Sequence, residues 1–244
     1  MYRSYKSTFG LIAGVTEAIE TFTEEMAALG ERFLRYWMKI DKSLEGRIEY
    51  NRRAQMNARH KNTMRKELND VAKQCLKKNF TEELTINDQI LNKILHLAEF
   101  IARCRGTVRR ERYTNEITHK PFTELSTRLS TQLTKLLHGI MYFRGIQIAT
   151  DNEYKILKKI ALGSTSGRYI DIVKNMYNNN EKLFSPSDFS EYTELSNIMT
   201  QRLAENLVML NVLKRANKTI LRPQYTISDE MSQIIEVTEI FQKK

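Results

Sequence analysis

The chain has 244 residues, of which 41% are hydrophobic and 28% charged, with nine Gly, three Pro and a formal net charge of +10. There are enough apolar residues for packed cores and too few Gly and Pro for a β-sandwich or a disordered chain, so a mainly α fold of one large or two to three small domains is expected. The positive balance suits an acidic partner such as nucleic acid; two cysteines without zinc or redox spacing point to a reducing cytoplasm, and the lack of an 18-residue apolar run excludes a membrane-spanning helix.

In chain order, "FGLIAGV" (Phe9 to Val15) reads as a short apolar strand. Thr16 is placed to cap a helix from Glu17 that Gly30 ends, and Phe33 to Ile40 alternates as a second strand. Ser43 then caps one long polar helix through about Lys78. From Arg47 to Lys78 Arg and Lys outnumber Asp and Glu ten to three, which reads either as a solvated face or as a surface for phosphates. Thr85 begins a helix with an apolar stripe from Ile86 to Ile101. A loop with Arg109, Arg110 and Arg112 beside Tyr113 follows, closed by Pro121, and then come helices from Ser126 or Thr127 to Gly145 and from Thr150 or Asp151 to Leu162.

"GSTSG" (Gly163 to Gly167) reads as a domain boundary. Beyond it the pattern predicts three helices, two extended runs about a basic turn and a last helix, the order of a winged helix-turn-helix. The predicted organisation is 1–42, 43–80, 81–163 and 164–244. Charge is uneven across it: residues 1–79 carry +6 and 80–167 carry +4, while 168–244 hold ten basic and ten acidic residues.

The sequence contains no phosphate-loop pattern, no apolar strand ending in Asp-Glu, no G-x-S-x-G, no H-E-x-x-H and no Cys/His cluster. His60, His96, His119 and His138 are scattered. The chain by itself is therefore expected not to hydrolyse ATP.

The segment "FGLIAGVTEAIETFTEEMAALGERFLRYWM", together with "ELSTRLSTQLTKLLHGIMYFRG" and "DNEYKILKKIAL", resembles the C-terminal part of a AAA+ ATPase of the helicase-like branch. The resemblance runs from about Thr8 to Leu162 and lacks the nucleotide-binding half that precedes it in that family. It implies a remnant of an α/β core with two short strands, a helical lid and a C-terminal winged helix. Thr16 then matches the first-sensor region, Arg32 the arginine finger and Arg128 the second sensor. Such arginines stabilise charge on a transferred phosphoryl group, so the resemblance implies ATP and Mg²⁺ only with a complementing chain. The implied partners are a AAA+ subunit or further copies of this chain.

A winged helix would place Gln201, Arg202 and Asn206 of its third helix toward bases. Lys214, Arg215, Lys218 and Arg222 would hold backbone from the wing. Arg52, Arg53, Lys61, Arg65 and Lys66 of the long helix, with Arg109, Arg110 and Arg112, are the other candidates for phosphate contact. The sequence also allows a protein-contact adaptor that uses helix faces instead.

Overall fold

Ser43 and Asn87 place side-chain oxygens on the amides of Gly46 and Ile90, and these caps start two of the helices. The computed structural model describes residues 13–15, 33–38, 40–41, 43–77, 83–111, 113–114, 116–119, 121, 123–179, 183–217 and 223–241. Within them the protein is mainly helical. The helices are α1 (Leu44–Ala58), α2 (Lys61–Leu76), α3 (Asp88–Cys104), α4 (Ser126–Arg144), α5 (Asp151–Gly163), α6 (Gly167–Asn178), α7 (Pro186–Thr193) and α8 (Asn197–Met209). Strands β1 (Leu213–Arg215) and β2 (Tyr225–Ile227) and helix α9 (Asp229–Thr238) follow.

The long helix expected from Ser43 to Lys78 is two helices, broken at Arg59 and His60. Asn57 and His60 are poor helix formers, and α1 buries no residue that could offset the break. The strand expected over Phe33 to Ile40 is also absent: residues 33–38 are not part of a ladder. Their polar groups are taken up elsewhere. The Arg35 amide donates to Ser164 Oγ (2.8 Å), Trp37 Nε1 donates to the Gly163 carbonyl (2.8 Å), and Arg105 donates to the Phe33 carbonyl. The predicted first strand is described only at 13–15, which are irregular and exposed. The predicted first helix lies outside the described residues.

Helix α3 is the hub of the core. Ile94, Leu97, Ala98, Phe100 and Ile101 are fully buried, and α4, α5 and α9 all pack on this helix. Helix α4 answers with Leu129, Leu133, Leu137 and Met141, four residues apart on one face, and Gly145 ends it in the left-handed region (φ 71°). Thr85, expected to open α3, instead bridges Ile148 in parallel and ties the entry of α3 to the start of α5. Helix α5 begins with a capping box of Thr150 and Glu153. Burial pushes the Glu153 carboxyl up, but hydrogen bonds from Thr150 and Arg144 outweigh this and hold it below its ordinary value.

The Gly163–Gly167 turn, expected as a boundary, is buried at Gly163, Ser164 and Thr165. The hydrophobic core runs through both sides of it, because α9 from the end of the chain returns to α3. Two polar ties reinforce that return. Arg103 of α3 bonds Glu230 of α9 (2.7 Å), and buried Lys93 of α3 reaches both Asp151 and Glu239 at 3.3 Å. Between the turn and α9, helices α6, α7 and α8 lead into an antiparallel hairpin that pairs Leu213 with Ile227 and Arg215 with Tyr225. Phe184, between α6 and α7, bridges Tyr225 from the other side. The sequence segment Leu195 to Leu213 reads as one helix, but α8 stops at Met209, because Asn211 turns into the left-handed region (φ 56°) and its carbonyl accepts from Ser228 Oγ.

The docking of residues 33–38 makes a direct prediction. A Cβ at Gly163 would lie 2.7 Å from the Arg35 carbonyl oxygen and 3.1 Å from Trp37 Cδ1. Gly163→Ala is expected to displace the segment, at a cost of about 1–3 kcal/mol. Trp37 is the single tryptophan, so its fluorescence should shift to the red. An unchanged emission maximum would show that the segment accommodates the methyl group.

Candidate nucleic-acid interface

Helix α8 starts with Ser196, whose hydroxyl accepts from the Met199 amide. Thr200, Ala204 and Leu207 face the core, which turns Ile198, Arg202 and Met209 outward. The first turn is open: Ser196, Asn197, Ile198 and Met199 are all exposed. The second half of the helix is not. Before α4, Arg110 and Ile117 form an antiparallel bridge. From this bridge Arg110 reaches α8, where its Nε and Nη2 donate to Asn206 Oδ1 (3.1 and 2.9 Å) and its Nη2 to Glu205 (3.1 Å). Gln201 donates to the other Glu205 oxygen (3.1 Å), and Arg215 of β1 lies 3.8 Å from it. Asn206 also donates to the Tyr169 hydroxyl (3.4 Å).

Four of the residues expected at DNA, Arg110, Gln201, Asn206 and Arg215, are thus gathered about one carboxylate. Arg202 is half-buried, Lys214 pairs with exposed Asp229 (2.5 Å), and Arg109 is exposed. Arg112, Lys218 and Arg222 lie outside the described residues, as do Thr16 and Arg32.

The basic helices form a second surface. Arg52 and Arg53 both pair with Glu49 at the surface (3.5 and 2.8 Å), and Lys61, Arg65 and Lys66 are exposed. Such exposed pairs contribute little to stability, about 0.3–0.5 kcal/mol each. No known family, characterised protein or solved structure matches the chain.

Arg128 sits in the first turn of α4 and bonds Glu124, which also lies 3.6 Å from the buried Arg105. Arg105 in turn holds the Phe33 carbonyl. The second-sensor candidate is therefore brought beside the segment that follows Arg32.

Sequence reasoning missed Glu205. Its one local signal is the Gln201–Glu205 spacing of four, which predicts a helix-surface pair. Tyr225 was also missed: it is fully buried, and its hydroxyl has no hydrogen-bond partner among the described residues. Burial pushes its phenol up, Glu205 adds to this and Arg215 opposes it. Tyr225→Phe removes an unsatisfied hydroxyl and is expected to be neutral or to stabilise by up to about 1 kcal/mol in urea unfolding. Because the folded pKa is raised above the ordinary 10.0, the stability held by the protonated phenol is full below 10.0 and is lost as pH rises from there through the folded value. The variant should lose less stability than the wild type on the alkaline side. Destabilisation at neutral pH would show that the hydroxyl is satisfied.

Proposed function

We propose that the chain is a duplex-DNA-binding module with no ATP hydrolysis of its own, its C-terminal part being a winged helix and its basic helices a phosphate-binding arm. The observation that carries this reading is α1. A 15-residue helix that buries no residue gains no stability from a core, and isolated helices of that length are marginal in water. The stretch it opens, Arg47 to Lys78, has ten Lys and Arg against three Asp and Glu, and suits a polyanion that would hold it. The order helix, bridging Phe184, helix, helix and hairpin supports the winged-helix reading. The open first turn of α8, where helix-turn-helix proteins present residues to base edges, supports it further. In this reading Ser196 and Asn197, which are exposed, join Arg202 as the proposed groups for that role.

The test is fluorescence anisotropy with a labelled duplex at two salt concentrations. Binding at low salt that weakens steeply as salt rises is expected. No binding at low salt would favour a protein-contact adaptor, for which the exposed Met64, Leu68 and Val71 of α2 offer a face. A second reading, the trans-acting half of a split AAA+ ATPase acting in an oligomer, is favoured by the cluster of Arg105, Glu124 and Arg128 beside Phe33. It predicts ATP turnover only when a chain with a phosphate loop is added.

A further inference from the structure

Glu205 has the geometry of a competitor for phosphate. Arginine recognises carboxylate and phosphate with the same planar fork of donors. In the folded chain two arginines from distant segments, Arg110 of the bridge to Ile117 and Arg215 of β1, converge on this one carboxylate. The pair with Arg110 is largely shielded, with 17% and 23% of the two side chains exposed, so water screens it less than the surface pairs of α1. Asn206, the next residue, completes the hold by accepting two N–H groups of the same guanidinium. Because Glu205 and Asn206 lie to either side of the outward direction of α8, Arg110 spans the helix surface beyond its first turn. Gln201 is drawn to the same carboxylate.

We infer that Glu205 is a built-in latch that holds Arg110, Arg215 and Gln201 on the surface of α8 and so limits duplex binding, an inference that rests on the DNA-binding reading above. A duplex that docks on α8 must first exchange this carboxylate for backbone phosphate. The exchange keeps the guanidinium groups paired, but the carboxylate is left facing the polyanion. Removing its charge should therefore release the arginines to phosphate.

The experiment is anisotropy titration of the full chain with a labelled duplex at two salt concentrations, comparing wild type with Glu205→Gln and Glu194→Gln. Glu194 is an exposed carboxylate just before α8 and controls for charge alone. E205Q is expected to bind about five- to tenfold more tightly, with a salt slope steeper by about 1–2, as one or two freed cations each add about 0.9. E194Q should change affinity less than twofold. Equal affinities of wild type and E205Q, or an equal gain in E194Q, would overturn the latch while leaving the DNA reading in place. No binding by any of the three proteins would overturn both. If E205Q loses its cooperative melt, Arg110→Gln decides: a change under twofold is expected, because Arg110 is already occupied, and a tenfold loss would overturn the latch.

Discussion

Replacing Arg52, Arg53, Lys61, Arg65 and Lys66 together by Gln is expected to weaken duplex binding by on the order of a hundredfold at low salt and to flatten the salt dependence. Each neutralised phosphate adds about 0.9 to the slope of log affinity against log salt, so five fewer cations at the backbone lower it by up to about 4–5. The fold should tolerate the change. These side chains are exposed, and the ion pairs of Arg52 and Arg53 with Glu49 are surface pairs. Gln is close to Arg and Lys in helix propensity. Phosphate groups carry no sequence information, so the loss should be the same on every duplex. Replacing Asn197 and Arg202 should instead alter preference among sequences, by roughly 1–3 kcal/mol for each base edge no longer read. Unchanged affinity in the five-residue variant, with loss in the α8 variant, would place the binding surface on α8 rather than on the arm.

Phe100→Ala is expected to cost about 3–5 kcal/mol. The ring is fully buried in α3 and meets Phe241 edge-on, with centroids 6.0 Å apart and planes at 76°. Phe241 follows α9 and also contacts Tyr177 of α6, so removing the ring leaves a cavity where the first core helix meets the last part of the chain. The consequence reaches both sides of the Gly163–Gly167 turn. Urea unfolding followed by Trp37 fluorescence and by far-ultraviolet circular dichroism should show one transition with one midpoint in the wild type. In F100A that midpoint should fall by the same amount for both probes. Two separated transitions, with only one moved by F100A, would show that residues 168–244 fold on their own.

The helices that could be read from the sequence are those whose signals lie within a few residues. Ser43, Thr150 and Ser185 cap α1, α5 and α7, Gly145 ends α4, and the four-residue spacing of Leu129, Leu133 and Leu137 marks the buried face of α4. Boundaries failed where a long-range interaction overrode a local pattern. Phe33 to Trp37 alternates like a strand, yet its amide and carbonyl groups find Ser164 and Arg105 instead of a neighbouring strand. Asn211 shortens α8 because the chain must turn there into the hairpin.

The candidate site divides the same way. The basic excess of α1 and α2 was legible, because an exposed helix that buries little keeps the charge its composition assigns. The candidate set on α8 was legible only as a helix face. Arg110 and Glu205 are 95 residues apart, and no periodicity or spacing links them. By itself, then, the sequence determined the mainly helical class, the caps at Ser43, Thr150 and Ser185 and where the positive charge lies, since propensity, capping and charge act locally. The tertiary structure alone decided that α9 closes on α3 and that Arg110, Gln201 and Arg215 meet at Glu205, because burial and ion pairing depend on which distant segments the packed core brings together.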